Sequence, residues 1–440
     1  MPNFKEKIYE VEIIHDVKYG TGGINHTTVP KSRALCMDVY LPRSVPTKSV
    51  MAPQSGRPAL IMAFGGAFHR GSKEADEFDI EGHRNTPVSE YCHEFAKRGY
   101  VTFSIDYRLV QEDPDPGSNN IILDKNTISR SRMDHVRNIL GLEPATSYML
   151  WAGVEAAVDD MRKAFEYVYD HASEYGIDVT RIAVGGFSAG ARMAASAAYG
   201  KKVPAAAIVA LSGMIGTIDG KRLIRSDDKN PPIMMVMGEI DLDHIKTLCQ
   251  ESHAYLSELG VINQLWRAPG ATHFYPSTSS IHRIENPNIV NSLEPAMSDF
   301  LYRSMRLDEL NRSKAQKNMS VSIEQLKGFA RAWNDHDIDA LMSYMHPDCA
   351  FETWTGTLVC GTRFVGLEEV RKGFQNAWKV FPDAKWSHDR HFVSGDRGLS
   401  EWVFTGTSID GKKMEVNGCD VFTFRDGKIL LKNSFRKNRV

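Results

Sequence analysis

The sequence predicts an α/β chain: a doubly wound, mostly parallel sheet followed by a smaller α+β cone domain. Three observations carry this. Short apolar runs recur through the first 300 residues, and runs without polar alternation are what strands buried on both faces require. Amphipathic helical patterns lie between those runs, as in a doubly wound sheet. Beyond about residue 320 the order changes to helices first and long alternating strands after, the pattern of an α+β domain.

Taken in order, strands are expected at 59–64, 100–105, 182–185, 206–211 and 232–237, with another β-like stretch at 263–267. Val154, Val158, Met161, Phe165 and Val168 make one apolar helical stripe ending before Tyr175-Gly176. A second helix spans 248–259, stopped by Gly260. Residues 111–150 break the rhythm, beginning with the turn-forming Asp113-Pro114-Asp115-Pro116-Gly117-Ser118, and read as a lid insertion or a surface excursion. The expected domains are 1–305 and 319–440, with a charged linker at 306–318. In the second domain, helices are expected at 323–333, 338–345 and 367–380. Strands follow at 384–393, 398–408, 412–424 and 429–435, the last pair joined by a hairpin turn at Arg425-Asp426-Gly427-Lys428.

A chain of 440 residues calls for two or three domains. Its net charge of −2 gives no electrostatic case for nucleic acid or an anionic membrane. The opening Met1-Pro2-Asn3-Phe4-Lys5-Glu6-Lys7 lacks a signal-peptide core, and no apolar run approaches a membrane span. Six scattered cysteines with no C-x-x-C pair fit neither zinc nor a disulfide framework. Buried free thiols in a cytoplasmic protein are the expectation.

Ser188 is the centre of the chemistry. It lies in Gly186-Phe187-Ser188-Ala189-Gly190, between an apolar β-type run and an Ala-rich helix. A serine on a sharp strand-to-helix turn holds its hydroxyl out, and glycines on either side let backbone pack close. The five-residue motif is weak alone, so the case rests on its surroundings. A serine nucleophile needs a histidine base, and the histidine needs a carboxylate. The strand at 233–237 runs into Gly238-Glu239-Ile240-Asp241-Leu242-Asp243, and the stretch at 263–267 runs into Pro269-Gly270-Ala271-Thr272-His273. Ser188, Asp241 and His273 follow in the chain order expected of this architecture, with Asp243 and Glu239 as alternative acids. An oxyanion needs preorganised donors. The turn Phe64-Gly65-Gly66-Ala67-Phe68 offers the N–H groups of Gly65, Gly66 and Ala67, and the helix offers that of Ala189.

Residues 34–300 resemble the α/β-hydrolase fold, in its carboxylesterase, hormone-sensitive-lipase-like and feruloyl/acetyl-xylan-esterase group. The carriers are Met37-Asp38-Val39-Tyr40-Leu41-Pro42, the Gly65-Gly66 turn with Gly71-Ser72-Lys73, and Arg98-Gly99-Tyr100. Asp106-Tyr107-Arg108-Leu109, Tyr175-Gly176-Ile177-Asp178, the Ser188 motif and the His273 loop complete them. The resemblance implies a serine carboxylic-ester hydrolase acting on a small-molecule ester, with lactonase, peptidase or a vestigial binding role as alternatives. It implies no cofactor and no metal. The family's turn usually begins with His; Phe64 stands there, and nearby His69 is expected at the surface, with a hydrogen bond lent to the turn as the alternative. Asp106 and Arg108 are expected as a charged pair bracing the sheet's end. The insertion at 111–150 and the loop at 277–295 are expected to shape the pocket.

Residues 319–440 resemble the nuclear-transport-factor-two-like superfamily, with its SnoaL-like cyclases and ketosteroid isomerases. Phe329-Ala330-Arg331-Ala332-Trp333-Asn334-Asp335-His336-Asp337, Met345-His346-Pro347-Asp348, Gly366-Leu367-Glu368-Glu369-Val370-Arg371 and the stretch from Cys419 to Ile429 carry the likeness. Such a cone can host an active site, a ligand, or homo-oligomer formation. Candidate lining residues are Tyr344, His346, Trp354, His388, His391, Trp402, Asn417 and Asp420.

Overall fold

The computed structural model describes residues 4–45, 56–74, 79–80, 82–128, 130–308 and 322–438. The chain divides into two compact units, Met1–Asn311 and Arg312–Val440. The predicted linker at 306–318 lies largely outside the described residues.

The first unit is built on β1 (Glu10–Ile24), β2 (Lys31–Arg43), β3 (Arg57–Ala63), the short pair β4 (Asp79–Ile80) and β5 (His83–Arg84), and β6 (Val101–Ile105). Then come β7 (Ile177–Phe187), β8 (Ala207–Leu211), β9 (Ile233–Gly238), β10 (Asn263–Ala268), β11 (Ser280–Arg283) and β12 (Val290–Ser292). All but the β4–β5 pair form one ten-stranded sheet, ordered β1-β2-β6-β3-β7-β8-β9-β10-β11-β12. Its centre, β6 to β10, is parallel, and β1, β2, β11 and β12 add antiparallel margins. Every residue of β3, β6, β8 and β9 is buried; β8, β9 and β3 after Arg57 are accordingly apolar runs, and the Thr102 and Ser104 hydroxyls of β6 donate to the Cys92 and Lys73 carbonyl oxygens. The helices are α1 (Val88–Ala96), α2 (Ser131–Ile139), α3 (Ser147–Asp170), α4 (Ala189–Ala195), α5 (Thr217–Leu223), α6 (Asp243–Glu258) and α7 (Leu293–Ser304). The Val154 to Val168 stripe is the buried side of α3, whose first turn is capped by Thr146 accepting from the Met149 N–H.

Two sequence motifs meet in this unit: Lys73 Nζ donates to the buried Asp38 carboxylate at 2.7 Å, joining β2 to the segment after the Gly65-Gly66 turn. Asp106 and Arg108 do not pair with each other. Asp106 binds Arg33, and Arg108, almost wholly buried, takes Asp160 through Nε and Nη2 at 2.7–3.1 Å. Adjacent chain positions two apart diverge here because Arg108 turns into the α3 side of the sheet. The segment 277–295 forms the edge strands β11 and β12 rather than a free loop.

The second unit has α8 (Ile323–Asn334), α9 (Ile338–Ser343), β13 (Met345–Glu352), β14 (Arg363–Val365) and α10 (Leu367–Val380). Strands β15 (Lys385–Ser394), β16 (Arg397–Thr407), β17 (Lys413–Arg425) and β18 (Lys428–Arg436) follow. The six-stranded sheet is ordered β14-β13-β18-β17-β16-β15, with β13 and β18 parallel and the rest antiparallel. On β16 every second residue from Gly398 to Gly406 is buried, so one sheet face packs on the helices. Phe329, Trp333, Phe374, Trp386 and Phe422 form that core.

Candidate active site

Strand β7 delivers Ser188 at its carboxyl end, where the chain turns sharply into α4. Ser188 has φ 53° and ψ −111°, a conformation that costs a non-glycine residue about 1–3 kcal/mol. The neighbouring glycines make the turn sterically possible. A Cβ on Gly190 would sit 2.0 Å from the Ala63 carbonyl oxygen, and one on Gly186 would sit 2.5 Å from the Gly190 backbone.

His273, on the loop after β10, turns its Nε2 to the Ser188 Oγ at 2.9 Å. Its Nδ1 faces Asp241 Oδ1 at 2.6 Å. A carboxylate can only accept, so Nδ1 carries the proton and Nε2 is free to accept the serine's. Asp241 follows β9, and the two loops are locked together. Gly238 has no room for a Cβ, which would lie 1.9 Å from the Thr272 oxygen, and the Ile240 N–H donates to the Ala271 oxygen at 2.8 Å. Among the three acids on this loop, Asp241 is the one that reaches His273. Asp243 projects into solvent and pairs with Lys246, while Glu239 accepts from the Gly270 N–H at 2.8 Å and closes the turn before His273.

The Asp241 carboxylate is buried and saturated. Oδ1 also accepts from the Leu242 N–H at 2.7 Å; Oδ2 accepts from the Ser212 hydroxyl at 2.6 Å and the Gly238 N–H at 3.1 Å. Ser212 in turn lies 2.8 Å from the Tyr275 hydroxyl. Burial pushes the carboxyl's pKa up, but the hydrogen bonds from His273, Ser212 and Gly238 and the electrostatic attraction of His273 outweigh it and hold the pKa below the ordinary value.

The Gly65-Gly66 turn approaches from the end of β3. Gly66, Ala67 and Phe68 all have positive φ, and a Cβ on Gly66 would strike the Arg70 carbonyl oxygen at 2.0 Å. Ala67 lines both cavities at Ser188, Ala189 the larger and Gly66 the smaller. Gly65 lies beneath the turn against the Phe187 ring and lines neither. The N–H groups of Ala67 and Ala189 have no acceptor among the described residues, so they are free to bind an oxygen at this spot.

His69 is buried, not at the surface as expected. Its Nδ1–H donates to the Ala67 oxygen at 2.6 Å, and its Nε2 accepts from Arg137 Nη1 at 3.2 Å. Burial lowers the ring's pKa, and the Arg137 charge lowers it further, so the ring is neutral. Arg137 belongs to the 111–150 insertion, as do Arg132, Met133 and Val136 on the cavity walls. Segment 277–295 lines neither cavity. The larger cavity, about 400 Å³, is walled by Met214, Leu242, Ile245 and Leu248 with Arg132 and Arg192. No group of three or more His, Cys, Asp or Glu suited to a metal ion occurs among the described residues, and none of their helices is long and apolar enough to cross a membrane.

The second unit encloses a separate cavity of about 410 Å³, lined by Trp333, Trp354, Trp386 and Trp402 with Lys432 and Arg436. Asp420 is fully buried, accepting from Lys432 Nζ at 2.6 Å and Trp402 Nε1 at 2.9 Å. Of the other expected lining residues, Trp354 and Trp402 reach this cavity. His388 and Asn417 line a different groove, and Tyr344, His346 and His391 line neither. His391 is held by Ser400 and Asp389. Lys432, Ser434 and Arg436 were not expected, although Lys432 and Ser434 share one face of β18 with period two.

Residues 148–219 match the BD-FAE family model, of an esterase-like α/β hydrolase, and residues 326–431 match that of the SnoaL-like domain. No curated protein is significantly similar to the chain. Among solved structures, esterase 2 of the Planctomycetes species Thermogutta terrifontis is 18% identical. The match covers 60% of this chain and 82% of that one, with a TM-score of 0.37. A truncated carbohydrate esterase from gut microbiota is 16% identical over 68% and 98%, with a TM-score of 0.42. TerC, co-crystallised with polyporic acid, is 22% identical over 26% and 90%, with a TM-score of 0.24. By the two family models, the chain joins an esterase-like α/β-hydrolase domain to a SnoaL-like domain.

Proposed function

We propose that the first unit is a serine hydrolase that cleaves carboxylic esters of small molecules through an acyl-enzyme. The observation that carries this is the unbroken hydrogen-bonded series from the Ser188 hydroxyl through His273 to Asp241. Ser188 Oγ attacks the ester carbonyl as its proton passes to His273 Nε2. Asp241 keeps the ring in the required tautomer and stabilises its charge. The tetrahedral oxyanion accepts from the N–H groups of Ala67 and Ala189, with Gly66 in support. The bond to the alcohol oxygen then breaks, and His273 returns its proton to that oxygen. Water attacks the acyl-enzyme, giving a proton to His273; the acid departs and Ser188 recovers its hydrogen. The sum is ester plus water to acid plus alcohol, completed by side chains and backbone of this unit.

The Ser188→Ala variant of the full chain is the test. Hydrolysis of 4-nitrophenyl acetate should fall at least ~10³-fold, and a fluorophosphonate should label the parent protein at Ser188 but not the variant. Undiminished turnover in a folded variant would exclude the mechanism.

A further inference from the structure

We propose that the ester taken at Ser188 carries a carboxylate, held by Arg132 and Arg192; this rests on the esterase reading above. Buried guanidinium groups elsewhere in this unit are matched by acceptors. Arg108 has Asp160, Arg98 has Glu294, and Arg137 has the Glu143 oxygen and His69. Arg192 departs from that rule. It lies one helical turn after Ser188 on α4 and lines the 400 Å³ cavity, and its Nε is buried with no hydrogen-bond partner. Among the described residues its guanidinium makes no hydrogen bond or ion pair.

Arg132, on α2, lines the same cavity and also the narrow recess shared by Ser188 and His273. It too has no hydrogen-bond acceptor or carboxylate partner among the described residues, only the Phe274 ring 5.8 Å away. That recess is also lined by Arg70 and by no carboxylate. Burial lowers the pKa of both Arg132 and Arg192; the Arg70 charge adds to the effect on Arg132, whereas the Asp219 and Glu155 charges oppose it at Arg192. Both nevertheless stay charged at neutral pH. Two partly desolvated cations that no hydrogen-bonded carboxylate holds, beside a reacting centre, favour an arriving anion. A planar fork suits a carboxylate, which takes two parallel N–H bonds.

The cavity also holds Asp219 and Glu251. Asp219 is engaged by Arg222 at 3.2 Å and Glu251 by the Thr217 hydroxyl at 2.7 Å, and neither pairs with Arg132 or Arg192. Their presence disfavours a dianion such as a phosphate monoester and leaves a single carboxylate as the match. The apolar walls at Met214, Ile245 and Leu248 accommodate the chain between that carboxylate and the ester.

The experiment compares two substrates of equal chain length on the full chain: the 4-nitrophenyl monoester of glutarate and 4-nitrophenyl valerate. The expected kcat/KM favours the glutarate monoester by about tenfold or more. That ratio should fall about tenfold in Arg192→Gln and in Arg132→Gln. The latter, at a partly exposed position, keeps the test valid if the first variant fails to fold. A parent ratio of one or less, or a ratio unmoved by both substitutions, overturns the anion site while leaving ester hydrolysis standing. If the parent cleaves neither ester, the reading at Ser188 fails, and calorimetry with glutarate decides separately. Binding weakened about tenfold in the two variants retains the anion site, and no binding overturns it.

Discussion

Asp241 accepts four hydrogen bonds inside the protein, and this makes it both a tautomer anchor and a stability switch. Asp241→Asn replaces an acceptor by a group that can present N–H to His273, favouring the tautomer with its proton towards Ser188. Activity should fall about 10³–10⁴-fold with the fold intact. The pH dependence has a defined sign. A carboxylate whose folded-state pKa lies below its unfolded value adds stability above the unfolded value, and loses it as pH falls through the folded one. Asp241 is depressed below 3.8, so its contribution is fully present at neutral pH and disappears only in acid below about pH 4. Unfolding of parent and variant measured from pH 7 down to pH 3 should show the parent's slope steepening in that window and the variant's lacking it. Ser188, Asp241 and His273 were legible because loop position after a strand constrains them. Ser212, Tyr275 and Arg137 were not, because the Ser212–Asp241, Ser212–Tyr275 and Arg137–His69 contacts join residues 29 to 68 positions apart with no local pattern.

At the scale of elements, α2 buttresses the turn that would meet the oxyanion. Arg137 spans the gap from the Glu143 carbonyl to His69, and His69 pins the Ala67 carbonyl. Val110 N–H, just before the same insertion, and Gln111 Nε2, at its start, hold the Phe68 and His69 carbonyl oxygens. Arg137 is therefore a positioning residue. Arg137→Met should lower kcat on a neutral ester about tenfold with KM nearly unchanged, and Arg137→Lys should restore part of the loss. A rise in KM with kcat intact would instead mean that α2 only shapes the pocket. The insertion was expected to shape the pocket or to be a surface excursion, not to brace this turn, and two strands, one in each sheet, were not expected at all. Strand β1 is mostly exposed on both faces and shifts register twice against β2, so no period-two apolar signal marks it. Strand β13 contains Pro347 and pairs in parallel with β18, more than 70 residues later, a partnership no local window reveals. The central strands β3, β8 and β9 were legible for the opposite reason: burial on both faces makes them almost wholly apolar.

At the scale of the molecule, each unit carries its own core, from Phe4 to Leu307 in one and from Leu326 to Ile429 in the other. The second core has an ionic centre. Lys432 and Asp420 are both buried and bound at 2.6 Å, with the Lys432 ammonium 4.7 Å from the centre of the Phe351 ring and 5.2 Å from that of Trp386. Burial lowers the Lys432 pKa, and Asp420 opposes that shift. Removing one partner leaves an uncompensated buried charge, at a cost of about 3–5 kcal/mol. The two units report through different signals. Of the seven tryptophans, Trp333, Trp354, Trp378, Trp386 and Trp402 lie in the second unit, whereas the proposed ester hydrolysis belongs to the first. Lys432→Met should therefore move the denaturant midpoint seen by tryptophan fluorescence sharply downward while the midpoint of activity loss stays put. Coincident movement of both midpoints would mean that the two cores melt as one cooperative structure, and the assignment of hydrolysis to a self-sufficient first unit would fall with it.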